Sequence, residues 1–383
     1  MPPLETEYIY LDHNATTPLE SRVVEAMVPF MEREYGNPSS PYPLGVVAKE
    51  SLEKFRAEVA SLIGCQAKEI IFTSGGSESN NTVLKGMVDV RRPADFHIIT
   101  SAVEHPAVLN PCFFLMELGV EVTVLPVDRY GMVDPQDVRR AITPKTALVS
   151  IMMANNETGT IQPIRDIALV TREAGIPLHT DAAQAVGKIP VDVRDLGVDF
   201  LTLAGHKLYA PKGVGVLFVR EGLDFTPLIH GGGQEWGKRA GTENVILAAG
   251  LAAAAGIARG RLKDDMQNAR FLRDHLQGLL FDALEGIVLN GHPVKRLPNT
   301  LNISIPGIEG ARILEGIPRL YASTGAACHD RNVKLSHVLS AMGLSPEVGM
   351  GTLRLSLGRS NTIDQIEDAA SMIIHRVKGM KRS

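Results

Sequence analysis

Between residues 68 and 220 the chain alternates short apolar runs with stretches whose apolar residues recur at helical spacing. The runs at 69–73, 97–100, 121–125, 147–152, 177–179, 200–203 and 215–219 are too short for helices and predict seven strands. The stretches at 78–90 and 162–174 predict helices between them. Such alternation is the pattern of βα units around a mainly parallel sheet, which holds ligands at the carboxyl ends of its strands.

From residue 245 to about residue 284 the pattern changes to an alanine-rich stretch followed by charged amphipathic sequence, which predicts one or two helices leaving the sheet. A composition boundary falls near residue 258. Strand-like runs at 287–289, 301–305 and 319–322, a polar loop and a helix at 362–378 predict a smaller α+β domain. The expected division is residues 13–258 for the large domain, and 1–12 with 259–383 for the small one.

Composition narrows the class. With 44% apolar residues in 383, the chain can fill two cores. Its 39 Lys and Arg against 43 Asp and Glu leave a net charge of −4, which offers polyanions no hold and argues against nucleic-acid and membrane-surface roles. No apolar run reaches the roughly 18 residues of a membrane span, and the N-terminus lacks a basic region ahead of an apolar core, so a cytoplasmic protein is expected. Cys65, Cys112 and Cys328 are odd in number and far apart, which suits neither a disulfide framework nor a zinc site. No metal is expected, and any special cysteine acts alone.

Three segments bring chemistry to the strand ends. Thr73-Ser74-Gly75-Gly76-Ser77-Glu78-Ser79-Asn80 follows a strand and opens a helix, so its N–H groups and hydroxyls can cradle a phosphate. His179-Thr180-Asp181-Ala182-Ala183-Gln184 sets a carboxylate just past a strand, where it can keep a ring nitrogen protonated. Gly205-His206-Lys207 follows another strand, and a lysine shielded from water can form a Schiff base with an aldehyde. Lys212, in Pro211-Lys212-Gly213, meets the same argument, and spacing does not choose between the two. Each segment alone has an ordinary explanation: a turn, a helix cap, a solvated charge. Cradle, acid and amine on one sheet edge match the three demands of pyridoxal 5'-phosphate.

With these segments together, the chain resembles the cysteine desulfurases, fold-type-I pyridoxal-phosphate enzymes whose superfamily also holds selenocysteine lyase. The likeness runs from Tyr10-Leu11-Asp12-His13-Asn14-Ala15-Thr16-Thr17-Pro18 to Leu353-Arg354-Leu355-Ser356-Leu357-Gly358-Arg359. It is most specific at Gly36-Asn37-Pro38-Ser39-Ser40, Ala154-Asn155-Asn156-Glu157-Thr158-Gly159, residues 179–184, Gly205-His206-Lys207 and Ser323-Thr324-Gly325-Ala326-Ala327-Cys328. It implies an α/β fold, with a mainly parallel seven-stranded sheet between helices and a smaller α+β domain that carries the cysteine loop.

The resemblance implies Lys207, not Lys212, as the lysine that bonds the cofactor. Asp181 would pair with the pyridine nitrogen and Gln184 with the phenolic oxygen, Asn156 would lie against cofactor and substrate, and His105 would stack on the ring and shuttle protons. Gly76, Ser77, His206 and Thr242 would hold the phosphate, Thr242 reaching over from the second subunit of a homodimer. Arg354, assisted by Asn37, would take the substrate carboxylate. Cys328, followed by the polar stretch His329-Asp330-Arg331-Asn332-Val333-Lys334 whose cations can stabilise a thiolate, would accept sulfur. The implied reaction converts L-cysteine to L-alanine and passes persulfide sulfur to an acceptor such as an iron–sulfur scaffold protein.

Selenocysteine lyase is the alternative, suggested by Tyr42 near where many desulfurases carry histidine. The spacing from Cys328 to His337 instead resembles the long loop of housekeeping-type desulfurases. An aminotransferase and a catalytically silent subunit on the same fold are more distant alternatives. One departure stands out. Ala204 sits two places before His206 where many relatives have a hydroxyl, so a phosphate hydrogen bond is expected to be missing unless Thr202 or water supplies it.

Overall fold

The main sheet of the computed structural model, which describes residues 8–324, 326–327 and 334–382, has seven strands. They are β1 Ile70–Thr73, β2 His97–Ser101, β3 Glu121–Leu125, β4 Thr146–Ser150, β5 Leu178–Asp181, β6 Phe200–Ala204 and β7 Gly215–Val219. Their spatial order is β1-β7-β6-β5-β4-β2-β3. β7 is antiparallel to both neighbours and every other pair is parallel. β1 therefore points the same way as β6, and the carboxyl ends of β1, β2, β4, β5 and β6 share one edge. The strand ends differ from the sequence expectation by at most two residues. The helix expected at 78–90 spans Gly76–Gly86 and stops at glycine, a poor helix former.

Successive strand residues divide between two cores. Ile70 and Phe72, Leu201 and Leu203, and Val216 and Phe218 pack in one, with the helix Pro43–Ile63 and the first part of Val245–Ala283. Ile71, Phe200, Leu217 and Val219 pack in the other, with Gly76–Gly86 and Pro106–Glu117. Strands buried on both faces read as continuous apolar runs, as these do. The edge strand β3 leaves Glu121 and Val124 exposed. At the start of Gly76–Gly86, Gly75 adopts φ 148°, and a Cβ on Gly215 would lie 2.6 Å from the Gly75 Cα. The two glycines let this loop cross β7 and turn into the helix.

Val245–Ala283 is a single helix of 39 residues, about 58 Å long at 1.5 Å per residue. It runs straight through the composition boundary. Ala248, Leu251, Ala255 and Ala258 belong to the large-sheet core, and Leu272, Leu276 and Leu280 to a separate core. By length and composition it could cross a membrane, but its alanines are buried against the sheet. The separate core lies under an antiparallel sheet ordered Ser323–Thr324, Thr352–Ser356, Thr300–Ser304, Val288–Leu289, and the helix Ile363–Arg382 packs on it. The N-terminal strand Ile9–Tyr10 pairs in parallel with Leu320–Tyr321 and sends Ile9 and Leu11 into this core. Ser21–Glu32 and Pro43–Ile63, to which the sequence pattern assigned no element, are helices packed on Val245–Ala283.

Candidate active site

β5 ends on Asp181, whose Oδ1 accepts the Ala183 N–H at 2.9 Å and whose Oδ2 accepts from Asn80 Nδ2 at 2.7 Å. Two donors fix the carboxylate plane and leave lone pairs for a third. Gly76 and Ser77 open the helix after β1, and no side chain caps it, so its first N–H groups are available to an anion. His206 Nδ1 is 3.2 Å from Thr16 Oγ1. Burial, helped by the nearby Lys207 and Lys212 charges, brings its pKa to about 4, and the ring is neutral. His105 caps the helix after β2 by accepting the Ala107 N–H on Nδ1 at 3.0 Å. The neutral ring then carries its proton on Nε2, and burial lowers its pKa.

Lys207 ends the short turn after β6, its Nζ donating to the backbone oxygens of Asn14 and Ala15, each at 2.6 Å. Burial, then the positive charge of Arg354, lowers its pKa to about 8, so near neutrality a useful fraction is free amine. Asn14 is a junction. Its backbone oxygen also accepts Gln184 Nε2 at 2.9 Å. Its side chain donates to Thr300 Oγ1 at 2.9 Å and Asn156 O at 3.2 Å, and accepts from Lys188 Nζ at 3.0 Å and Asn299 Nδ2 at 3.2 Å. Segments far apart in the chain therefore meet on one buried asparagine.

Arg354, on the strand Thr352–Ser356, reaches the same place from the other side. Its Nη2 donates to Asp12 Oδ1 at 2.7 Å and Ser323 Oγ at 2.9 Å, and its Nη1 to Asn156 O at 3.2 Å. Its buried Nε has no partner among the described residues. The guanidinium is thus held by Asp12 on one side and by the Asn156 backbone on the other.

Gly76, Ser77, His105, Asn156, Asp181, Gln184, His206, Lys207 and Arg354 line one cavity of about 420 Å³. Several sequence candidates lie elsewhere. Thr242 is exposed and off this wall, as is Lys212. Asn37 is exposed too, its Oδ1 accepting the Ser39 N–H at 2.9 Å. Cys328 lies outside the described residues. Ala204 borders the cavity, but Thr202 does not replace its missing hydroxyl, because the Thr202 Oγ1 is fully buried 3.1 Å from His179 Nε2. Burial pushes the Cys65 and Cys112 thiols up to about 12, which leaves both unreactive.

The sequence reading assigned no role to Asn14, Asn80, Asp12 or Lys188. Asn80 had a signal, one helical turn past the Gly-rich loop and on the same face as Gly76. Asn14 and Asp12 lay inside a segment quoted for its resemblance. Lys188 had none.

The chain matches the aminotransferase class-V family over residues 9–368. A relative from Methanosarcina thermophila named cysteine desulfurase IscS is 45% identical over 382 residues, 98% of this chain and 94% of that protein. A solved structure named NifS-like protein superposes with a TM-score of 0.91 at 36% identity, covering 97% of this chain and 99% of that one. SspA in complex with cysteine superposes at 0.81 and 36% identity, over 92% of this chain and 99% of that one. The chain belongs to the aminotransferase class-V family and, within it, to the fold-type-I cysteine desulfurases.

Proposed function

We propose that this protein is a pyridoxal 5'-phosphate-dependent cysteine desulfurase, which converts L-cysteine to L-alanine and holds the sulfur on Cys328 as a persulfide. The observation that carries the reading is one cavity lined by the Lys207 amine, the Asp181 carboxylate and the uncapped helix start at Gly76. The names of the relatives, and the complex of SspA with cysteine, favour cysteine over selenocysteine.

The residues fit the cofactor. The free N–H groups at Gly76 and Ser77 and the neutral His206 suit its phosphate. The doubly held Asp181 suits a protonated ring nitrogen, Gln184 a phenolic oxygen, His105 a stacked ring and Lys207 an aldehyde. When bound, the cofactor draws electron density from the substrate α-carbon.

The chain's own groups do the rest. Lys207, with its pKa lowered to about 8, moves the α-proton near neutral pH, and His105 carries a second exchangeable proton on Nε2. Arg354, held by Asp12 at the cavity wall, would take the substrate carboxylate, with Asn156 on the same wall assisting. The Cys328 thiol takes the substrate sulfur: a sulfur–sulfur bond forms, the carbon–sulfur bond breaks, and carbon gains the proton. L-Cysteine plus thiol thus becomes L-alanine plus persulfide, with no external oxidant.

In this reading residues 13–258 form the cofactor-binding domain, and 1–12 with 259–383 the small domain bearing Cys328. The protein would be a cytoplasmic homodimer; the exposed apolar residues Tyr35, Tyr42, Val46, Val47 and Trp236 support the dimer, since uncovered apolar surface favours association. Thr242 would complete the partner's phosphate site. The persulfide passes to a protein such as an iron–sulfur scaffold.

The direct test is mass spectrometry of the Cys328 peptide after incubation with L-cysteine, digested without reductant. The peptide should gain one sulfur atom. Alanine accumulating without that adduct would refute the role of Cys328. A second expectation concerns Ala204→Ser, which restores a hydroxyl at the cavity wall. One added hydrogen bond contributes about 1 kcal/mol, so fluorescence titration of cofactor-free protein should show about fivefold tighter binding. Unchanged affinity would mean that water already fills the place.

A further inference from the structure

We infer that Lys188 is a positioning residue for the proposed reaction: it pins the Gln184 side-chain amide so that an N–H, and not the oxygen, is offered to the cofactor's ring oxygen. The inference rests on the function proposed above. The two ends of a glutamine amide are nearly equal in size, and only hydrogen-bonding neighbours decide which way it faces.

Gln184 sits between two neighbours of opposite character. Lys188 Nζ lies 2.5 Å from Gln184 Oε1 and donates to it; as an ammonium it can do nothing else. Asn14 O can only accept, and lies 2.9 Å from Gln184 Nε2. Both contacts select the same orientation, and Nε2 keeps a second hydrogen for the cavity that Gln184 lines. Lys188 also donates to Asn14 Oδ1 at 3.0 Å, which steadies the residue whose backbone oxygen receives both Gln184 and Lys207.

Burial and the facing cations Lys207 and Arg354 depress the Lys188 pKa. A neutral amine still has two N–H bonds, enough for both contacts, and Asn14 O, which only accepts, then decides that Nε2 and not Oε1 faces it. Without Lys188, Gln184 Oε1 loses its donor and the amide is held by Asn14 O alone, so its oxygen can turn toward the ring oxygen at the cost of that one bond.

The test uses holoenzyme carrying Lys188→Met, which keeps the length and removes the donors. A hydrogen bond to the ring oxygen stabilises its negative charge and makes the adjoining cofactor nitrogen less basic. Lys188→Met should therefore raise the midpoint of the pH titration of the visible cofactor band by about one unit, and weaken cofactor binding to the cofactor-free protein severalfold. Lys188→Arg, which retains donors, should restore most of both.

A wild-type band whose midpoint does not move in Lys188→Met overturns the inference, even if melting temperature falls, and leaves the functional reading standing. A wild type without a band, or a band that persists in Lys207→Ala, overturns the functional reading instead. Should Lys188→Met fail to fold, a holoenzyme crystal structure that distinguishes amide oxygen from nitrogen decides. Lys188 Nζ beyond hydrogen-bond reach of Gln184 Oε1 refutes the claim, and the contact reproduced with Nε2 toward the cofactor upholds it.

Discussion

Replacing Lys207 by arginine should slow alanine release from L-cysteine by on the order of 10³-fold or more, the scale on which a positioned acid–base group contributes. Arginine keeps the positive charge and the donors that Asn14 O and Ala15 O receive from Nζ, so the melting temperature of the cofactor-free protein should hardly change. What it cannot do is lose a proton near neutrality, as Lys207 does with its pKa brought down to about 8, nor bond an aldehyde. Purified Lys207→Arg should therefore also lack the visible band of the wild type. Turnover within tenfold of wild type would move the amine chemistry to another residue.

Arg354→Lys should lower kcat/KM for L-cysteine by about 100-fold, the equivalent of about 3 kcal/mol for a desolvated charge pair. Lysine can still neutralise Asp12, but a single ammonium cannot reach Asp12 Oδ1, Ser323 Oγ and Asn156 O while presenting a planar donor edge to a carboxylate. The loss should fall mainly on KM, because the grip on the carboxylate is the same before and during the reaction. Steady-state kinetics separate the cases. A fall confined to kcat would show that Arg354 acts by ordering the Asn156 backbone instead.

The large sheet was legible because its strands are buried on both faces, so each apolar run announces itself. The long helix was ambiguous because its surroundings change midway: alanines lie under one sheet, and leucines spaced one turn apart lie under another. The two N-terminal helices went unassigned, since Ser21–Glu32 and Pro43–Ile63 bury only part of their surface against that helix. In the site, Asp181, Lys207 and the Gly-rich loop could be read because each lies at the carboxyl end of a strand, although the choice of Lys207 over Lys212 came from the family resemblance alone. Asn14 and Lys188 could not, because their importance lies in contacts between segments far apart in the chain. Whether Thr202 could stand in for the hydroxyl missing at Ala204 was left open for the same reason, its own hydroxyl being held by His179 on the neighbouring strand.

The helix Val245–Ala283 gives each of the two cores a wall made from the same rod. Its alanine end lies beneath the sheet that carries Asp181, and its leucine end beneath the sheet that carries Arg354. Melting either core strips the other of a wall, so heat should dismantle both in a single cooperative step. The spacing between the group that grips the substrate and the group that holds the ring is thus tied to the pitch of one continuous α-helix, and not to a hinge.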